Sequence, residues 1–242
     1  MRGILSLTRV EIMRLRRNRR YLIFTVGFPV VLYLLLGKQV SALAEGVSFH
    51  AYYMVAMAMF GGFSGALTGN AIRISQERKD GWIRQLRLTP LPANGYVVSK
   101  ILVSMATTVP SIVIVLLLGR FYGGVNLPAW QFLAIAVTIW FGATIFAALA
   151  VAIGYRYQPD QVQPIAVAVY FVFAILGGLL FPIGGGLRKV GEVTPTYDAV
   201  KIATDVIANA SVSVYPVIGL VIWLLIFVGL ATLSVRATAE NL

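Results

Sequence analysis

Apolar runs long enough to cross a lipid bilayer recur along most of this chain. About 20 residues are needed for a helix to span a bilayer core, and six runs of 17 to 26 residues approach or exceed that length. They cover residues 21–37, 50–72, 97–119, 129–154, 162–183 and 213–235. Only 12% of the 242 residues are charged, against about a quarter in soluble domains. The sequence therefore predicts an all-α integral membrane protein with six transmembrane helices.

The basic residues are unevenly distributed between the two sides of these runs. If the N-terminus is inside, fifteen of the twenty Lys and Arg residues fall in inner segments and five in outer ones. Cytoplasmic loops carry an excess of Lys and Arg, so both termini are predicted to be cytoplasmic. The net charge of +11 then reflects topology, and no nucleic-acid partner is expected. We predict a multi-pass protein of the plasma membrane, which in a bacterium is the inner membrane.

The first twenty residues have a basic amphipathic pattern. On a helical wheel two groups separate, namely Ile4, Leu5, Leu7, Ile12 and Leu15 on one side and Arg2, Arg9, Arg16 and Arg20 on the other. Such a pattern is typical of a helix lying on the cytoplasmic face of a membrane. Two alternatives remain. One is a simple basic tail, and the other is a signal peptide, although its apolar core would exceed the usual length of about 7 to 15 residues.

The polar residues argue against several classes of function. All nine carboxylates lie outside the central parts of the six runs, whereas proton- and ion-driven transporters commonly place an ionisable group at depth. With no Cys and one His, the sequence offers no metal-ligand set and no acid–base site. It also has no Gly-rich loop ending in Gly-Lys-Ser or Gly-Lys-Thr to hold a nucleotide. We therefore predict no catalytic residue, metal or cofactor in this chain, and expect any energy to enter through a partner.

The most organised polar segment lies between the second and third runs, at residues 73–96. Its pattern predicts a short helix that Asp80 caps and Pro90 ends. The apolar side of this helix consists of Trp82, Ile83 and Leu86. A short basic helix with a Trp suits a lever pressed into a groove on a cytoplasmic partner. The alternative is a loop whose basic residues serve only topology.

This segment resembles the membrane subunits of ABC-2 type transporters. In that family an acidic–basic pair, a Gly, a short helix ending in Leu-x-x-Thr-Pro-Leu, and a Lys opening the third span form the cytoplasmic connection. The matching residues are Glu77, Arg78, Gly81, Leu86, Thr89, Pro90, Leu91 and Lys100. Trp82 departs from the small residue usual after the Gly. The N-terminal helix is similar to the family's interface helix, and the segments 177–182 and 194–195 resemble its outer element.

The resemblance implies an exporter in which two membrane subunits, by default two copies of this chain, face each other above two ATPase subunits. ATP and Mg would be bound by the ATPase chains, and membrane lipids would surround the complex. The implied ATPase-coupling interface comprises Glu77, Arg78, Asp80, Gly81, Trp82, Ile83, Leu86, Thr89 and Pro90, beside Arg9, Arg16 and Arg20 of the interface helix.

In the family the substrate path runs between spans two and five. Small residues let helix backbones approach closely. Here those spans carry the glycines Gly61, Gly65, Gly69, Gly177 and Gly178. The polar candidates for the path are Ser64, Thr68 and Asn70. Ordinary packing within one subunit is the alternative. The apolar spans favour a hydrophobic or amphipathic substrate of the drug, antibiotic, lipid or glycan type.

The chain is thus predicted to be one transmembrane domain. Its parts are an interface helix (1–20), spans one and two (21–72), a cytoplasmic coupling segment (73–96), spans three to five (97–183), an extracellular re-entrant or cap element (184–212), and span six with the C-terminus (213–242). A solvated loop is the alternative for the outer element. A passive channel or scaffold subunit and, less favoured, a membrane-embedded enzyme remain as alternative functions.

Overall fold

The computed structural model describes residues 7–13, 23–37, 43–44, 47–82, 85, 95–183 and 186–239. Residues 7–13 are helical. The helices that follow are α1 (Phe28–Leu36), α2 (Phe49–Ser64), α3 (Asn70–Lys79), α4 (Gly95–Phe121), α5 (Ala129–Arg156), α6 (Pro159–Leu176), α7 (Gly186–Gly191), α8 (Pro195–Ile207) and α9 (Val214–Ala239). A π-helical turn, Ile23–Gly27, precedes α1, and a second one, Gly65–Gly69, joins α2 to α3.

Within the described part of the chain, five helices are long and apolar enough to cross a membrane, which confirms a mostly helical, multi-pass membrane protein. They are Phe49–Lys79, Gly95–Phe121, Ala129–Arg156, Pro159–Leu176 and Val214–Ala237. The first predicted run corresponds to a shorter apolar helix, Thr25–Leu36, and residues 14–22 lie outside the described part. One feature was not predicted. Two short antiparallel strands, β1 (Leu43–Ala44) and β2 (Val47–Ser48), lie between α1 and α2.

The continuous α2–α3 helix is the centre of the bundle. Every residue from Ala51 to Phe63 is buried, against α1, α4, α5 and α8. Helix α9, in contrast, exposes most of its apolar side chains, as expected of a helix that faces lipid. The α2–α3 helix continues to Lys79. The polar segment predicted from residue 73 therefore begins as an extension of the second span.

Aromatic rings connect the central helix to its neighbours. The ring centroid of Phe63 lies 4.0 Å from that of Phe146 on α5 and 4.8 Å from that of Tyr170 on α6. The Tyr170 hydroxyl donates a hydrogen bond of 3.1 Å to the carbonyl of Phe60. Ring pairs of this kind contribute about 0.5–1.5 kcal/mol beyond the area that they bury. This cluster therefore fixes α2 against α5 and α6.

Two glycines predicted at the end of the fifth span form the turn into the outer segment. A Cβ added at Gly177 would lie 2.1 Å from the hydroxyl oxygen of Thr196, so the turn touches α8 directly. Gly178 has φ +72°, a left-handed conformation that favours glycine at a helix end. The Tyr52 hydroxyl donates to the Gly178 carbonyl at 2.8 Å. In this structure both glycines therefore serve packing between α6, α8 and α2.

The segment predicted to be an outer element forms helices α7 and α8 in its described residues, and α8 packs into the bundle, unlike a solvated loop. Thr194 is the N-cap of α8, and its hydroxyl accepts from the Tyr197 amide at 3.3 Å. Helix α8 packs against α5, α9 and α2. This packing favours the predicted cap or re-entrant element over a loop.

On α8, Asp198 is seated against the backbone of α9. A Cβ added at Gly219 would lie 2.1 Å from a carboxyl oxygen of Asp198, so only glycine leaves room for this contact. Asp198 is 5% exposed, and burial raises the pKa of its carboxyl from 3.8 to about 7. Burial disfavours the ionised form of an acid, so this contact is better suited to the protonated carboxyl.

We expect the fold to be more stable in weak acid than in weak base. Because the pKa of Asp198 is about 7 in the folded protein, against 3.8 for an unperturbed aspartate, the folded protein holds the proton more tightly. The stability that the protonated Asp198 contributes is then fully present below about pH 4, and that contribution is lost as the pH rises through about 7. Thermal unfolding in detergent from about pH 5.5 to pH 8.5 should show a falling midpoint. Asp198→Asn should flatten that slope, whereas Asp160→Asn at an exposed position should leave it unchanged; an equal slope in both variants would contradict the assignment.

Close helix approach at Gly61 gives a second prediction. A Cβ added there would lie 1.9 Å from Ser111 Oγ and 2.9 Å from Pro29 Cγ, so Gly61→Ala overpacks the contact of α2 with α4 and α1. Such overpacking costs about 1–3 kcal/mol. Gly229→Ala is the matched control, because nothing lies within 4 Å of its Cβ position, and we expect it to be neutral or stabilising by up to about 1 kcal/mol. Denaturant titration in micelles would measure both, and equal effects would refute the packing role.

Candidate functional site

Charged and polar side chains join four helical segments at one end of the bundle, where α3 and α5 end and α4 begins. They lie on residues 7–13, on α3, on the first turns of α4 and at the end of α5. We call this set the junction network, and its members are Thr8, Glu11, Ser75, Glu77, Arg78, Tyr96, Ser99, Lys100 and the backbone carbonyls of Tyr155 and Tyr157.

Lys100 is the centre of the junction network. Its side chain is 1% exposed, and its ammonium donates to the two carboxyl oxygens of Glu11 at 2.8 and 2.7 Å and to Glu77 Oε1 at 2.8 Å. A lysine ammonium has three donors, and a buried charge is tolerated when it is paired and hydrogen-bonded. Lys100 therefore holds the N-terminal helical segment against the end of α3.

Neutral groups complete this pairing. The Tyr96 hydroxyl donates to Glu77 Oε2 at 2.7 Å, and the Lys100 ammonium lies 5.1 Å from the centroid of the Tyr96 ring. The hydroxyls of Thr8 and Ser99 are 3.1 Å apart. Two carboxylates share one ammonium, so a hydroxyl donor to Glu77 offsets part of the excess negative charge.

Arg78 ties α3 to α5. Its guanidinium donates to the carbonyl of Tyr155 and, at 2.7 Å, to that of Tyr157, and Ser75 Oγ donates to the Tyr157 carbonyl at 3.0 Å. The last carbonyls of a helix have no partner within the helix, and cations stabilise that terminus. The acidic–basic pair of Glu77 and Arg78 thus has two different tasks, one toward α4 and one toward α5.

The turn after α3 lies within the predicted coupling segment, 73–96. Asp80 is exposed and still has helical backbone angles as the C-cap of α3, and Gly81 follows with φ +73°. The Gln85 amide donates to the Gly81 carbonyl at 3.1 Å. The sequence assigned the cap of the next helix to Asp80. The structure gives that position to Gly81, because the Gly81 carbonyl accepts the first helical hydrogen bond.

Trp82 packs on the protein's own helices, and its predicted role at an ATPase interface stays a prediction. It is partly buried and packs on an apolar cluster at the ends of α3, α4, α5 and α9, formed by Ile74, Tyr96, Val151, Ala152, Tyr155 and Ala231. A small residue, usual at this position in the resembled family, would leave that surface uncovered. The remaining coupling candidates lie outside the described residues, as do two of the interface arginines: Ile83, Leu86, Thr89, Pro90, Arg16 and Arg20.

The N-terminal segment presents a polar inner face that the helical wheel did not reveal. Arg9 is exposed, but Thr8 and Glu11 are buried at 8% and 3% exposure. Sequence reasoning therefore missed Glu11 as a site residue, although Glu11 is the only acid before Glu45. A lone acid among many arginines, together with a Lys at the head of an apolar run, was the available signal.

The candidates for the substrate path surround the π turn between α2 and α3, which includes Gly65 and Gly69. Thr68 Oγ1 donates to the Ser64 carbonyl at 2.6 Å, and Asn70 Nδ2 donates to the Ala66 carbonyl at 3.1 Å. These side chains therefore bond to carbonyls of their own helix. π turns inside helices occur frequently at functional sites, and a role in the substrate path stays a prediction.

Ion pairing, rather than bond-making chemistry, is what the junction network can perform. Within the described ranges no group of three or more His, Asp or Glu side chains is arranged to hold a metal ion. The network's groups are engaged with one another, so their action is to keep helices in a fixed relation.

The fold places this chain among polytopic α-helical membrane proteins. The family model described as ABC-2 type transporter matches residues 2–207, and the chain belongs to that family, as its motifs predicted. It is also similar to the protein named “Putative transport permease YvfS” of Bacillus subtilis (strain 168), with 24% identity over 221 residues that cover 90% of each chain. The chain is therefore a transport permease, the membrane subunit of an ABC transporter.

Removing Lys100 should destabilise the junction strongly. In Lys100→Met, the buried Glu11 and the partly buried Glu77 lose their common counter-ion, and breaking one side of a buried pair costs about 3–5 kcal/mol. Lys79→Met, at an exposed position on α3, is the matched control and should change stability by less than about 0.5 kcal/mol. The free energy of unfolding in micelles is the measurement.

A double-mutant cycle tests the pairing itself. Glu11→Gln in the Lys100→Met background should cost less than Glu11→Gln alone, with a coupling energy of about 1 kcal/mol or more. Additive effects of the two changes would show that the contact does not contribute to stability.

Proposed function

We propose that this chain is the permease subunit of an ABC exporter driven by a separate ATPase. The observation that carries the proposal is the buried contact of Lys100 with Glu11 and Glu77. It joins the N-terminal helical segment to α3 immediately before the coupling segment. These are the two regions on which the family resemblance expects an ATPase to act.

The proposed topology has six spans with both termini in the cytoplasm. The first span, added to the five long helices, is the helix Thr25–Leu36 extended to the predicted run 21–37. The end that carries the junction network also carries Lys79, Arg156 and Arg236, and the excess of positive residues assigns that end to the cytoplasm. The helices α7 and α8 then form a re-entrant cap at the outer face.

In the proposed mechanism, closure of two ATPase subunits presses on the coupling segment. Lys100 passes that displacement to the N-terminal helix and α4, and Arg78 passes it to α5. A coupling mechanism requires a two-state element that both sites bias. The π turn Gly65–Gly69 in the central helix is the proposed hinge of that element. ATP and Mg belong to the ATPase chains.

A second copy of this chain would complete the path for a hydrophobic or amphipathic substrate. Helix α6, which the family places beside the path, exposes large apolar side chains at Phe171, Val172 and Ile175. Lipid-facing and subunit-facing surfaces are both apolar in a membrane, so this face suits a partner of the same kind. Homodimerisation follows from the prevalence of closed two-fold assemblies.

The test is co-purification of an ATPase with the tagged protein, followed by ATP hydrolysis in lipid nanodiscs. Trp82 packs on the chain's own helices, so the informative change is Leu86→Asp, which places a charge on the predicted apolar side of the coupling helix. We expect loss of the companion ATPase and of hydrolysis, with an unchanged elution profile and thermal midpoint.

Leu187→Asp is the matched control, since Leu187 is 60% exposed on α7 at the opposite end. It should retain both companion and activity. If wild-type protein yields no companion in any extract, the passive channel or scaffold becomes the better assignment. If Leu187→Asp rather than Leu86→Asp releases the ATPase, the proposed orientation is wrong.

A further inference from the structure

A groove of about 520 Å³ opens between the cap helices and the first turns of α9. Its volume falls in the range of about 300–1,000 Å³ that is typical of small-molecule sites. One wall carries four ionisable side chains and the other is mainly apolar; the residues used below are Arg188, Glu192, Lys201, Ile222 and Trp223.

The ionisable wall holds its charges in a fixed arrangement. Arg188 Nε bonds to Glu192 Oε1 at 3.0 Å, and Lys201 Nζ bonds to Asp205 Oδ1 at 2.7 Å. The side chains of Arg188 and Lys201 are 47% and 30% exposed, so both cations can be reached from the groove. Each cation on this wall is accompanied by a carboxyl group, and the wall is therefore close to neutral overall.

The apolar wall follows α9 away from the charges. Tyr215 at its start is 84% exposed, and the indole of Trp223 is held by a hydrogen bond of 2.7 Å to the Val193 carbonyl. Eight residues of helix span about 12 Å, so the groove runs from an aromatic residue suited to the headgroup level into the hydrocarbon. The polarity changes along the groove as it does along a lipid.

We propose that this groove binds one outer-leaflet phospholipid whose zwitterionic headgroup carries a primary ammonium. The phosphate lies at Arg188 and Lys201, the ammonium at the exposed carboxylate of Glu192, and an acyl chain along Ile222 and Trp223. A purely anionic headgroup would place no positive group at Glu192. A choline headgroup would have the charge but no N–H donor for that carboxylate. The outer-leaflet assignment rests on the proposed topology.

The experiment is native mass spectrometry of the full-length protein in detergent, titrated with phosphatidylethanolamine, phosphatidylcholine or phosphatidylglycerol. Wild type should bind the first phosphatidylethanolamine more tightly than either other lipid. The double variant Arg188→Gln with Lys201→Gln removes both phosphate contacts and should weaken that binding at least about tenfold. Arg120→Gln is the matched control, because Arg120 is an exposed cation outside the groove that donates to the Leu127 carbonyl, and it should bind as wild type does.

A second variant tests the ammonium contact. Glu192→Gln should reduce phosphatidylethanolamine binding to the phosphatidylcholine level and leave phosphatidylcholine binding unchanged. The proposal is overturned if the double variant binds as wild type does, or if wild type prefers phosphatidylglycerol or treats the two zwitterionic lipids alike. Co-purification of the ATPase with the wild-type protein is measured separately. If the ATPase co-purifies but the protein shows no lipid preference, only the lipid site is refuted. If no ATPase co-purifies, the proposed function is refuted.

Discussion

The buried ammonium of Lys100 sets the arrangement of the end of the bundle at which it lies. A charge removed from water is tolerated only when its partners are in place, so Glu11 and Glu77 must both approach it. These partners lie on different segments, and satisfying one amine therefore fixes the N-terminal helix, α3 and α4 together. Replacing such a set by apolar residues is often neutral for stability. Its value to a transporter is that the joined helices can adopt few other arrangements.

Elsewhere in the bundle, packing takes the place of the hydrophobic effect. Lipid tails are as apolar as leucine, so helix association in a membrane depends on close contact and hydrogen bonds. Gly61 and Gly177 bring backbones against neighbouring side chains, and the rings of Phe63 and Tyr170 pack against each other between α2 and α6. Gly61 and Gly177, two of the glycines that the sequence offered as candidates for a substrate path, thus have a packing role in the structure, and their role in the path stays a prediction.

The sequence predicts what is local and misses what depends on pairing across long separations. Membrane spans are visible because length and hydrophobicity belong to a single segment, and the family resemblance follows from residues that are neighbours in the chain. Glu11 and Lys100 are 89 residues apart, and neither reveals its partner. Asp80 was assigned a cap because Asp favours that position, but the last turn of α3 includes it, and Gly81 alone suits the positive φ that follows.

The central helix connects the two ends at which the polar contacts are concentrated. Near its start Tyr52 donates to the turn before the cap, and near its end Glu77 meets Lys100; the roughly 25 residues between them span about 37 Å of helix. Over such a distance in an apolar bundle, a helix communicates by moving as a rigid body or by bending. The π turn Gly65–Gly69 lies between these two contacts. In the proposed mechanism, a displacement at the junction network therefore reaches α7 and α8 in a form set by that turn, which makes the geometry of the turn the next feature to follow through the transport cycle.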